Sequence, residues 1–136
     1  MDEPQKIMSP REFTDKLAEL GGGEAFEKAF SDEALKAAGI DMDAPRLTRI
    51  DAAIMLHKYM LEVAGIPDLE DISGAAVLKD LYDCRKCVNH IAQVYLRGLM
   101  KPVSYPLPDG SSILLFDAKS EDMSSWTNQQ ICGIMP

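Results

Sequence analysis

The sequence predicts a mainly α protein, a compact helical bundle of helix-loop-helix pseudo-repeats with one short β-hairpin near residues 103–116. Three observations lead to this fold class. Ser or Thr stands ahead of several segments that end at Gly, apolar residues recur at helical spacing, and one Asp-Gly pair separates two apolar stretches. The 136 residues are 46% hydrophobic and 26% charged, enough for one core. We therefore predict a loosely ordered segment over residues 1–8 and a single helical domain over residues 9–136.

Three short helices are predicted near the N-terminus. "SPREFTDKLAEL" begins with Ser9 as N-cap, Pro10 in the first helical position and Glu12 placed to complete a capping box. The glycines of "GGG" at 21–23 end it, because glycine tolerates the left-handed conformation of helix ends. "EAFEKAF" and "SDEALKAAG" predict two more helices, the second starting after Ser31.

A longer helix is predicted from "RLTRIDAAIMLHKYM". Thr48 is its expected N-cap, Asp51 stands at the capping-box position, and Gly65 followed by Pro67 ends it. Helical spacing predicts an inner face made of Ile50, Ala53, Ile54, His57, Leu61 and Ala64.

The C-terminal half predicts a second long helix and the hairpin. "AAVLKDLY" is read as a helical turn or an approach segment, and "CRKCVNHIAQVYLRGLM" as a helix. Its expected apolar stripe is Cys84, Val88, Ile91 and Tyr95. "VSYPLPDGSSILLF" places Asp-Gly between two strands, with Pro106 favouring an edge. "MSSWTNQQICGIMP" predicts a short final helix.

Charge and hydropathy exclude two classes of partner. The formal net charge is −8 and the basic residues are scattered, so we expect no nucleic-acid partner. The longest apolar runs, such as "GAAVL" and "ILLF", fall far short of the roughly 20 residues that span a bilayer, so we expect no membrane insertion. The acidic start "MDEPQK" lacks the basic n-region of a signal peptide.

Arg49 is the leading candidate for ligand binding. A cation in the first helical turn gains nothing from the helix dipole, which favours acidic groups there. Beside free helix N–H donors it suits an anionic ligand such as a carboxylate or phosphate on a glycan. The alternative is an internal ion pair with Asp80 or another acidic residue.

The cysteines and histidines do not indicate a catalytic or metal site. Cys84 and Cys87 form a C-x-x-C pair that permits a zinc or redox interpretation with His90 and Cys132, but buried core cysteines are the favoured one. His57 is expected to be a hydrogen-bonded core histidine. We predict no catalytic residue, no metal and no cofactor.

Residues 47–98 resemble an S-layer homology domain. "LTRIDAA" is similar to the family's I-T-R-A-E helix start, "LKDL" with Asp80 to F-x-D-V, and "HIAQVYLRGLM" to the helix that leads to G-I, at the family's spacing. "PDGSSILLF" resembles the D-G-x-F loop with an insertion before Phe116. The family's tryptophan falls at Lys86, and "MSSWT" lacks the arginine of a further helix start.

The resemblance implies a non-enzymatic attachment module at a bacterial cell surface. Arg49, Asp80 and Thr48 would bind an anionic cell-wall polysaccharide, and the expected location is extracellular. The alternative is a structural or protein-interaction module that keeps the fold and has lost the glycan. Its partner would be another surface protein or a second copy, in a homodimer formed through the hairpin edge or Trp126.

Overall fold

The fold of residues 7–121 is described by a computed structural model that is about half helical, with five α-helices and one two-stranded antiparallel sheet. This confirms a mainly α fold with a hairpin. The α-helices are α1 Pro10–Ala18, α2 Gly23–Ala29, α3 Asp32–Ala37, α4 Arg49–Lys58 and α5 Val88–Leu96. Tyr59–Val63 is a π-helical turn, and 3₁₀ turns cover Ser73–Val77, Leu81–Asp83 and Arg85–Cys87. The strands are β1 Val103–Pro106 and β2 Ser112–Leu115.

Helices α1 and α3 form as their caps predict, and α2 forms without a side-chain cap. The Ser9 hydroxyl accepts a hydrogen bond from the Glu12 amide at 3.1 Å, and the Glu12 carboxylate accepts one from the Ser9 amide at 3.1 Å. Ser31 caps α3 through a 3.2 Å bond from the amide of Ala34. Because these bonds satisfy helix-end donors within a few residues, local sequence is enough to place them.

Helix α4 is the centre of the core, and the predicted inner face is wrong in part. Ala53 and His57 are buried as expected, whereas Leu61 is 43% exposed. Burial extends around much of the helix, to residues that the prediction left outside the inner face: Ala52, Met55, Leu56, Tyr59 and Met60. The π-helical turn also changes which side chains are buried, because its wider turn shifts the register of every residue after Lys58.

Helix α5 packs against α4 and starts later than predicted. It begins at Val88, and the residues before it form a 3₁₀ turn in which Cys84 and Cys87 are joined by a disulfide. Gln93 is fully buried on α5, yet its side-chain amide exchanges two hydrogen bonds with the backbone of Leu69, at 2.9 and 3.1 Å. These bonds offset the cost of burying the amide.

The hairpin pairs Val103 with Leu115 and Pro106 with Ser112, which confirms the predicted turn at Asp-Gly. Strand β2 also meets the segment before the 3₁₀ turn at Leu81, where the amide of Lys79 donates to the carbonyl of Leu114 at 2.9 Å. This contact attaches β2 to the helical part of the molecule.

One hydrophobic cluster runs through the described residues, from Met8 and Phe13 to Met100 and Phe116. No helix within residues 7–121 has the length and apolar character needed to cross a bilayer. The predicted final helix, with Trp126 and Cys132, lies outside the described residues.

Candidate functional site

Arg49 and Asp80, two of the residues predicted to bind a ligand, both contact the segment that follows β2. The Nε of Arg49 donates to the carbonyl of Phe116 at 2.8 Å, and Nη2 donates to the carbonyl of Lys101 at 2.6 Å. The guanidinium carbon also lies 5.0 Å from the centroid of the Phe116 ring, within cation–π distance. Only 3% of Arg49 is exposed, so its charge is directed at the protein's own backbone.

Asp80 holds the same segment from the other side. Its two carboxylate oxygens accept hydrogen bonds from the amides of Phe116 and Asp117, each at 2.8 Å. We call residues 116–117 the corner. A carboxylate oxygen has two lone pairs, so each oxygen of Asp80 retains capacity for a further donor.

Asp117 carries the backbone strain of the corner. Its φ of 62° is the one positive value among the described residues other than glycine. Aspartate tolerates this left-handed conformation better than most residues, and the bond from its amide to Asp80 holds it there. Its side chain accepts a 3.3 Å bond from the hydroxyl of Tyr105, and the nearby Asp117 charge raises the pKa of that tyrosine.

The start of α4 is closed by the chain that follows the corner. Thr48 acts as N-cap, accepting a 3.3 Å bond from the amide of Asp51. The amides of Arg49 and Ile50 donate to the carbonyls of Ser120 and Ala118, at 2.8 and 3.0 Å. The expectation of free helix N–H donors beside Arg49 is therefore wrong, because a distant loop satisfies them.

A groove of about 500 Å³ opens beside the corner. We call it the Asp80 groove, and its lining residues are Lys79, Asp80, Asp83, Cys84, Ile91, Leu115, Asp117, Ala118 and Lys119. Lys79 and Lys119 are exposed, and within residues 7–121 neither forms an ion pair. The groove thus combines carboxylates that accept hydrogen bonds with two available ammonium groups.

No family model matches this chain, and neither the curated proteins nor the solved structures contain a match. The resemblance to S-layer homology domains rests on the sequence motifs alone and stays a prediction.

A second polar cluster joins α4 to α5. The Nε2 of His57 lies 2.6 Å from a carboxylate oxygen of Asp68, and the Nδ1 atoms of His57 and His90 are 2.8 Å apart. The amide of Asn89 donates to the second oxygen of Asp68 at 2.9 Å. His57 is 5% exposed, which confirms the predicted hydrogen-bonded core histidine, although the sequence did not predict its partners.

The contacts of this cluster determine its protonation. Burial raises the pKa of Asp68, but the hydrogen bonds from His57 and Asn89 outweigh it, and the net pKa lies below the ordinary value. An ionised Asp68 accepts a hydrogen bond from the Nε2–H of His57. In a neutral His57 the Nδ1 is then an acceptor, so the Nδ1–H of His90 donates a hydrogen bond to it. Burial, followed by the charge of His57, lowers the pKa of His90.

The predicted burial holds for Cys87, which is 9% exposed, whereas Cys84 is partly exposed in the groove. The two cysteines form a disulfide with Cα atoms 5.2 Å apart, a pairing that the sequence left open. No three His, Cys, Asp or Glu side chains within residues 7–121 are arranged to hold a metal ion.

Proposed function

We propose that this protein is a non-enzymatic surface attachment module that binds an anionic polysaccharide in the Asp80 groove. The observation that carries the proposal is that two ammonium groups, Lys79 and Lys119, line the groove with the carboxylates of Asp80 and Asp117 and form no ion pair within residues 7–121. Sugar hydroxyls donate to carboxylates, and an anionic substituent forms charge-assisted bonds with ammonium groups. The sequence motifs support the same class of ligand.

In this proposal Arg49 positions the site without contacting the ligand. Its side chain holds Phe116 from inside while Asp80 holds the adjoining amides, so the two residues set the shape of the corner. Thr48 supports the start of α4 as its cap. Direct contact of Arg49 or Thr48 with a glycan stays a prediction, and the 3% exposure of Arg49 gives it no support.

The same proposal includes a fold of S-layer-homology-like pseudo-repeats and an extracellular location. The helix starts at Ser9 and Thr48 are interpreted as divergent S-layer-homology-like pseudo-repeats, with the hairpin as an insertion between them and the C-terminus. A module of this kind works outside the cell, attached to the wall polymer.

The proposal is tested by binding to purified anionic cell-wall polysaccharide, measured by pull-down and by calorimetric titration. We expect Lys79→Gln with Lys119→Gln to lower the affinity about tenfold, because the two exposed ion pairs that are lost contribute up to about 1 kcal/mol each. Lys28→Gln with Lys36→Gln makes the same change in net charge on α2 and α3, away from the groove. This control should bind like the wild type. Equal binding by the two double variants would remove the groove from the function.

A second candidate, a protein-interaction module, is favoured by one specific observation. Val77 and Tyr82 are large apolar side chains that are 52% and 67% exposed, in the stretch of 3₁₀ turns before α5. Burial of such groups against a second copy would stabilise a homodimer. Light scattering after size exclusion should then give a dimer mass that Val77→Ser with Tyr82→Ser abolishes, while Leu61→Ser, at a residue 43% exposed on another element, leaves it intact. A monomer at every concentration would exclude this candidate.

A further inference from the structure

Two features of the Cys84–Cys87 disulfide favour an exchangeable bond over a structural one. The first is its short span, since only two residues lie between the cysteines. A disulfide that closes so small a loop removes less entropy from the unfolded chain than one that closes a long loop, so it stabilises the fold less. The second is access, because Cys84 lines the Asp80 groove and is partly exposed.

The two sulfurs have different surroundings. Cys87 is only 9% exposed and stands at the N-cap position of the nine-residue helix α5. Cys84 faces the groove and follows the exposed carboxylate of Asp83. An incoming thiolate therefore reaches the sulfur of Cys84, and the sulfur of Cys87 is the leaving group.

The charges near Cys87 favour its departure as a thiolate. Arg85 and Lys86 are both exposed and lie directly before it, and the N-terminal end of α5 adds partial positive charge. Positive groups near a cysteine lower the pKa of its thiol, and a thiol of lower pKa leaves faster in exchange.

We infer that Cys84 and Cys87 form a reversible thiol–disulfide site that exchanges with low-molecular-weight thiols entering the Asp80 groove. This activity is separate from glycan binding and does not rest on it.

The exchange takes place in two balanced steps. A thiolate of the small thiol attacks the sulfur of Cys84, the Cys84–Cys87 bond breaks, and Cys87 leaves as a thiolate that takes a proton from water. A second thiolate attacks the small-molecule sulfur of the mixed disulfide and releases Cys84 as a thiolate. Two small thiols are oxidised to their disulfide, and the protein gains two electrons and two protons as a dithiol.

The first experiment equilibrates the folded protein with glutathione buffers that range from reducing to oxidising. All variants carry Cys132→Ser, so that only Cys84 and Cys87 react. After acid quenching and alkylation, intact mass gives the fraction of dithiol, and circular dichroism checks the fold. We expect full and reversible conversion within the glutathione range. A disulfide that persists in the most reducing buffer while the protein stays folded would show a structural bond and overturn the inference.

The second experiment tests which sulfur is attacked. When the intact disulfide is treated briefly with reduced glutathione, quenched in acid and alkylated, peptide mapping should find the mixed disulfide on Cys84 in about tenfold excess over Cys87. Equal amounts on the two cysteines would contradict the assignment. Arg85→Gln with Lys86→Gln should slow reduction of the intact disulfide several-fold, whereas Lys28→Gln with Lys36→Gln should not. Equal rates for these two double variants would remove the cations from the mechanism.

Discussion

At the level of single residues, Arg49 connects α4 to both ends of the hairpin. Lys101 precedes β1 and Phe116 follows β2, and the guanidinium donates to the carbonyls of both. Arginine suits this role because its planar group carries several donors in a fixed arrangement. The sequence named Arg49 and Asp80 as candidate ligand-binding residues, but it did not show that both bind the corner, which lies 67 residues from Arg49 and 36 from Asp80 along the chain.

We expect Arg49→Ala to lower the free energy of unfolding by about 3 kcal/mol, because it leaves buried carbonyls unpaired. Arg49→Lys should recover only part of this, since an ammonium group cannot reproduce the two donors on a planar group. Urea denaturation measures both changes.

Arg46→Ala is the matched control for this experiment. The side chain of Arg46 is 56% exposed, and its ion pair with Glu121 measures 3.4 Å. Exposed pairs contribute about 1 kcal/mol at most. If Arg49→Ala were no less stable than Arg46→Ala, the buried bonds of Arg49 would not hold the hairpin.

At the level of elements, local chemistry decided where α1, α3 and α4 begin, and tertiary contacts decided which faces the helices bury. The caps at Ser9, Ser31 and Thr48 form as predicted, since each bond joins atoms three residues apart. The start of α5 was not predicted, because the disulfide and the 3₁₀ turn keep Cys84 out of the helix.

Gly22 shows how closely the start of α2 approaches the π-helical turn that follows α4. A Cβ at Gly22 would overlap the Cγ1 of Val63, and the φ of Gly22 is +123°. We expect Gly22→Ala to cost about 3 kcal/mol of stability, from the positive φ and from overpacking together. Gly39→Ala is the control, because φ is +89° there and no atom lies within 4 Å of the added Cβ. It should cost about 1 kcal/mol in thermal or urea unfolding. Equal losses would show that the contact with Val63 is unimportant.

At the level of the whole molecule, the cluster of His57, Asp68 and His90 joins α4, the following loop and α5 across the core. Its hydrogen bonds depend on protonation, so the stability of the molecule should depend on pH. The sequence predicted a buried His57 from its place among apolar residues. Asp68 and His90, 11 and 33 residues away along the chain, become its partners only when the helices pack.

We expect the free energy of unfolding to fall as the pH decreases through about 6.5, the ordinary histidine value. The pKa of His90 is lower in the folded state, so the unfolded chain binds the proton more readily and is favoured there. The lowered pKa of Asp68 adds a further loss only below about pH 4. Urea denaturation at several pH values measures both stages.

His90→Gln provides the control for the first stage. This variant lacks the titrating imidazole, so its free energy of unfolding should change less than that of the wild type between pH 7.5 and pH 5. A wild-type stability that stays constant over this range would contradict the linkage to His90.

The sequence by itself determined the mainly α class, the helix caps and the hairpin turn. Each of these depends on residue types at short spacing. Tertiary structure alone decided that Arg49 is buried against Phe116, that the first amides of α4 are closed by residues 118–120, and that Lys79 and Lys119 border one groove. Such contacts join segments far apart in the chain, and burial of the shared core brings them together.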